Sequence, residues 1–150
     1  VQDMAVPLPP LATIHASCIA IGTRGLLLVG GSGDGKSDLA LRLIDRGAML
    51  VADDQCELFD QRGALLCRPP TALAGKLEVR GIGIITRPWT APVPIALVVR
   101  LSSRYERMPD NYVEEVAGRH LPAVKIAPFE LSAALKVELA LDALAGKKGA

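Results

Sequence analysis

Eight consecutive residues carry the strongest chemical signal in the chain. Gly30-Gly31-Ser32-Gly33-Asp34-Gly35-Lys36-Ser37 satisfies the spacing Gly-x-x-x-x-Gly-Lys-Ser/Thr at every fixed position. Glycines let a backbone curl until successive N–H groups face one anion. Lys36 adds a positive point charge for the β- and γ-phosphates of a nucleotide. Ser37 adds a hydroxyl able to ligate the Mg2+ that bridges them. The spacing points to a nucleoside triphosphate held by Gly30 through Ser37. It does not say which group receives the phosphoryl.

A second feature is the pair Asp53-Asp54, 17 residues beyond Lys36. Neighbouring residues on a strand point to opposite faces, so both carboxylates reach one site only where the strand ends or bulges. Two carboxylates beside a nucleotide can divide labour, one near the metal and one taking the proton of an attacking hydroxyl. The plainer alternative is a turn after a strand, where Asp is common. The nearby glycine loop favours the catalytic reading.

The elements needed to position these groups are legible around them. Residues 14–21 read as a strand, Gly22 to Gly25 as a turn and Leu26 to Val29 as a second strand, together a hairpin feeding the loop. Ser37 to Arg46 repeats apolar residues at one-face spacing and stops at Gly47, a helix whose positive end faces the loop. Met49 to Ala52 is a short strand running into the aspartates, and Ala64 to Cys67 another. The segment from Leu77 to Ile85 is interrupted by Gly81 and Gly83. Pro88, Pro92 and Pro94 mark a loop, and Ile95 to Leu101 is apolar enough for a central strand. Tyr105 to Val116 is polar and reads as mostly irregular, with a short helix after Pro109. Ser132 to Ala145 reads as a helix with Leu131, Leu135 and Leu139 on its inward stripe, stopped by Gly146, with Lys147 and Lys148 suiting its negative end. The fold class expected is α/β, a mixed sheet carrying a phosphate loop with flanking helices.

Composition narrows the partners. Seventeen basic and sixteen acidic side chains leave a formal charge of +1, too little for bulk attraction to a nucleic-acid backbone. No apolar run reaches the roughly 20 residues of a membrane helix, and the start of the chain lacks a secretory pattern. Cys18, Cys56 and Cys67 show no paired spacing and read as reduced, buried thiols. The expectation is a cytoplasmic protein with no nucleic acid and no membrane partner. Residues 1–13 are expected to be a lead-in, extended from Val6 to Pro10. Residues 14–146 are expected to form one catalytic domain and 147–150 a tail.

Three ordered segments resemble a known family. The glycine loop, Leu50-Val51-Ala52-Asp53-Asp54 and Leu77-Glu78-Val79-Arg80-Gly81-Ile82-Gly83-Ile84-Ile85 are similar to signature stretches of HPr kinase/phosphorylase, with Ile14-His15 and Tyr105-Glu106-Arg107 also matching. The resemblance implies a fold like that of phosphoenolpyruvate carboxykinase, and hexameric assembly. It implies transfer of phosphoryl from ATP, or in many members from pyrophosphate, to a serine of the phosphocarrier HPr. Many members also remove that phosphoryl with inorganic phosphate. Position by position it implies that His15 is an active-site histidine and Lys36 the loop lysine. Asp54 becomes the proton acceptor with Asp53 its companion, Ser37 and Glu78 the Mg2+ ligands, and Arg107 an arginine of the reverse reaction.

Three departures qualify the expectation. The family's separate N-terminal domain has no counterpart, which suggests a short form or a trimmed chain. The segment between Ile85 and Ile95 is short. Leu121 to Pro128 stands where the family has an Arg-Pro-Gly-Arg loop associated with phosphorylase activity, and Lys125 is its one positive charge. The expectation is a kinase with weak or absent phosphorylase activity. The rivals are a nucleotide-sensing module without transfer and a small-molecule kinase.

Overall fold

The computed structural model describes residues 8–149, with side chains to Leu144. The lead-in expected from Val6 therefore lies partly outside the described residues, as does the last residue of the tail.

Strand β1 (Ala12–Ile14) is short, and a bend at His15 separates it from β2 (Ser17–Ile21). The single strand expected over 14–21 is thus two. Gly22, at φ 63°, turns β2 into β3 (Arg24–Val29), and the two pair antiparallel with Ile21 opposite Arg24. The glycine loop then leads into helix α1 (Lys36–Asp45), which ends before Gly47 at φ 113°. Strands β4 (Met49–Ala52), β5 (Cys56–Gln61) and β6 (Ala64–Arg68) follow, then a hairpin of β7 (Lys76–Val79) and β8 (Gly83–Thr86).

The sheet is organised about β9 (Val93–Leu101), which runs parallel to β3. On its other edge β6 pairs with Val93 and Pro94, and β11 (Arg119–Ile126) pairs parallel with Val98 to Leu101. Pro94 belongs to this strand rather than to the expected loop. It lies at the strand's start, where a missing N–H is tolerated. The polar stretch read as irregular holds strand β10 (Tyr112–Val116), antiparallel to β11, and no helix follows Pro109. Leu121 to Ile126 is strand, not loop.

Helices α1 and α2 (Ala133–Gly149) cover one face. Leu26, Leu28, Leu97 and Val99 meet Leu39, Leu43, Val137 and Leu141 there. The other face curls onto itself, packing Leu27 and Val98 against Cys18, Cys56, Leu58 and Cys67. All three cysteines are free and fully buried, and burial pushes the Cys18 thiol up. Among the described residues no helix is long and apolar enough to cross a membrane.

Helix α2 corrects two expectations. It continues through Gly146 to Gly149. Its inward residues are Ala133, Ala134, Val137 and Leu141, whereas Leu131, Leu135 and Leu139 are exposed. The helix is apolar on more than one stripe, so spacing alone does not choose the packed face.

An ion pair ties the late strands together. The Arg100 guanidinium on β9 reaches the Glu114 carboxylate on β10 in two bonds, at 2.6 and 2.9 Å. Arg100 holds that carboxyl below its usual value, helped by the Tyr112 hydroxyl. A carboxyl lowered on folding stabilises above its unfolded pKa and loses that contribution as pH falls through the folded one. Glu114→Gln is expected to flatten the decline of stability on acidification below about pH 4.3, the ordinary glutamate value. Urea denaturation across that range checks this. An unchanged slope would show that the pair does not couple to folding.

Candidate active site

The glycine loop sits between the end of β3 and the start of α1. Gly33 and Gly35 take φ of 82° and 100°, the left-handed region that other residues avoid. Asp34 closes the curl from inside, since its carboxylate accepts from Gly31 N at 2.6 Å and its own N–H donates to Gly31 O at 3.1 Å. Lys36 is buried, and its ammonium donates to the carbonyls of Gly30 and Gly31 at 3.1 and 2.8 Å. The first amides of α1 have no intrahelical acceptor and supply a positive end beside the loop.

The aspartates divide by environment. A bulge at Val51 shifts β4 against β2, with Cys18 opposite Ala52 and Ile19 opposite Leu50. The strand then ends, so the two side chains part. Asp53 is buried, only 5 % exposed. Its Oδ1 accepts from the hydroxyls of Ser17 at 2.7 Å and Ser37 at 2.8 Å, and its Oδ2 from the Glu78 amide at 3.1 Å. Asp54 takes a left-handed φ of 71° and turns outward. Its carboxylate lies 3.1 Å from His15 Nδ1, with about half of each side chain open to solvent. The bend between β1 and β2 presents His15, and the Ala16 N–H donates to the Asp54 carbonyl at 3.2 Å.

These groups border one cleft of about 360 Å3. His15, Lys36, Ser37, Asp54 and Glu78 line it, with Ser32, Gly33 and Gly35 of the loop. Gly30, Gly31 and Asp34 shape the loop without lining the cleft, and Asp53 lies behind Ser37. Arg107 is elsewhere. It lines a larger cleft of about 670 Å3 beside Tyr105, Lys125 and Lys136, which holds none of the loop residues. Size therefore does not locate the site; the convergence of loop, hydroxyl and carboxylates does.

Ser17, Arg80 and Phe129 are among the lining residues that were not expected. Ser17 is a buried serine on a strand and carries no signal by type or spacing. Arg80 lines the cleft, and a side chain at Gly33 would come within 3.6 Å of its guanidinium. Phe129 arrives from the turn before α2 and packs on Gly35. Arg80 stands inside a segment quoted for the resemblance and could have been read from it. Phe129 could not.

The hard-oxygen donors Ser37 and Glu78 suit Mg2+. Because Ser37 donates its hydroxyl proton to Asp53, the lone pairs of its oxygen stay available to a cation.

Comparison with known proteins points to a family. A HPr kinase/phosphorylase of Clostridium beijerinckii is 44 % identical over 82 residues, covering 55 % of this chain and 27 % of that protein. One of Shouchella clausii is 46 % identical over 79 residues, covering 52 % of this chain and 26 % of its own length. The chain thus spans about a quarter of these relatives (27 % and 26 %). A solved structure described as the Hpr(Ser) kinase/phosphatase from Coxiella burnetii superposes with a TM-score of 0.78 at 28 % identity, over 92 % of this chain and 93 % of that one. Residues 7–89, more than half of the chain, match the model of the HPr Serine kinase C-terminal domain, and the chain belongs to that family.

Proposed function

We propose that this protein transfers the γ-phosphoryl group of ATP to a serine hydroxyl of an HPr-type phosphocarrier protein. The observation that carries the reading is the position of Asp54. It is exposed at the cleft, paired with His15, and shares that cleft with Lys36 and Ser37. A serine presented by another protein reaches an exposed carboxylate and not a buried one.

In this reading the serine oxygen attacks the γ-phosphorus as its proton passes to the Asp54 carboxylate, and the bond to the departing ADP breaks. His15 holds Asp54 in position. Asp53 has its oxygens committed to three donors and is left to orient Ser37. Lys36 exchanges loop carbonyls for phosphate oxygens, which are stronger acceptors. Mg2+ held by Ser37 and Glu78 neutralises phosphate charge when bound.

The reverse reaction is proposed to be weak. Lys125, the one cation of the segment 121–128, faces the ring of Tyr112 at 5.1 Å and lines the other cleft together with Arg107. Neither is among the residues lining the nucleotide cleft to hold a second phosphate. Pyrophosphate as an alternative donor, a cytoplasmic location and homo-oligomers, hexameric as the resemblance implies, complete the reading. The exposed Leu131, Leu135 and Leu139 suit burial between copies.

The test is transfer of labelled γ-phosphate from Mg-ATP to purified HPr, followed by incubation of the product with inorganic phosphate. The expected result is a labelled serine that phosphate does not release efficiently. ATP binding without transfer would favour a sensor, and rapid release would overturn the view of the reverse reaction.

A further inference from the structure

Phe129 is one of five aromatic residues in the chain and is 70 % exposed, an unfavourable place for an apolar ring. It is nonetheless held in place. The Arg42 guanidinium on α1 donates to the carbonyls of Pro128 and Glu130, and the Glu130 N–H donates to the Ala127 carbonyl at 3.3 Å. The ring edge meets Gly35 so closely that a side-chain carbon there would lie 2.9 and 3.1 Å from two ring atoms. Its remaining surface faces the cleft that holds Lys36 and Ser37, with Leu41 as a second apolar lining. The cleft thus offers charge at Lys36 and Arg80 and a flat aromatic surface at Phe129.

We propose that Phe129 is the stacking platform for the base of the nucleotide. This rests on the reading that the glycine loop holds a triphosphate. A planar heterocycle gains by covering an exposed ring, and stacking of this kind does not depend on which base is present. Asp38, the acidic residue nearest along α1, is committed to Arg42 at 3.0 Å. The site therefore takes purine nucleoside triphosphates with little discrimination between adenine and guanine, and a donor without a base gains nothing from Phe129.

Titration calorimetry with ATP, GTP and tripolyphosphate, each with Mg2+, tests this on the wild type and on Phe129→Ala, Phe129→Leu and Phe129→Trp. Removing one base–aromatic stack is expected to weaken ATP and GTP binding by about tenfold. Tripolyphosphate binding should be unchanged. The Leu variant keeps apolar contact with Gly35 but not the flat face, so it should behave like Ala, whereas Trp should restore affinity. Equal losses for all three ligands would show that the ring only braces the loop. No loss for any would show that its exposure serves something else. Either result overturns the platform. If the wild type bound none of the three, the triphosphate reading itself would fall, and the platform with it.

Discussion

Asp54→Asn is expected to lower the rate of phosphoryl transfer by about 100- to 10,000-fold, the range that one positioned general base contributes. The amide keeps the size of the carboxylate but cannot take the serine proton. It also removes the negative charge facing His15 Nδ1. The loop that would hold the triphosphate has its own internal bonds and makes none to the Asp54 side chain. Nucleotide affinity should therefore change by less than about threefold, within the small coupling expected of sites that share no partner. Single-turnover transfer measured alongside nucleotide titration separates the two effects. Transfer near the wild-type rate would assign the proton to another acceptor, and a matching loss of binding would make Asp54 part of the nucleotide site.

Asp53→Ala should damage both stability and activity. The side chain is buried and accepts from Ser17, Ser37 and the Glu78 amide. Its removal leaves those donors facing a void, and a stranded buried donor costs roughly 1–3 kcal/mol. The serine hydroxyls can turn toward other acceptors, but the amide cannot. A total loss on the order of 3 kcal/mol is expected, which lowers the melting temperature by about 6–12 °C in a chain of this size. Transfer should fall with it, because Ser37 loses the group that orients its hydroxyl. Asp53→Asn is not a mild control. Its –NH2 must replace one carboxylate oxygen and face either the hydroxyls or the Glu78 N–H. Thermal denaturation of both variants checks the prediction, and a melting point within about 2 °C of the wild type would show that the three bonds are dispensable.

The part of the site built from contiguous residues was legible in the sequence. The loop spacing, the helix that follows it and the aspartates at the end of β4 are local patterns, and each is set by short-range chemistry. What was not legible depends on partners far along the chain. The strand Tyr112–Val116 is masked by Glu114 and Glu115, and what holds Glu114 inside is Arg100 on another strand. The packed face of α2 was misread because Leu131, Leu135 and Leu139 repeat as regularly as the residues that are buried. Arg107 was grouped with the site by motif, yet the fold places it in a different cleft. Ser17 and Phe129 reach the site only through the bend at His15 and the turn before α2, and neither feature has a signature in its own residues.

The position of β9 bears on how the protein is made. The segment that matches the family model ends at Trp89, before Val93 where β9 begins. Within residues 8–89, β6 at one side and β3 at the other have no strand to join them, because β9 is the one that lies between. Without β9 the stretch that matches the family model would leave those two strand edges unpaired. As the chain leaves the ribosome, the glycine loop and both aspartates emerge first. The sheet that fixes their spacing is complete only once the strand ending at Leu101 has also been made.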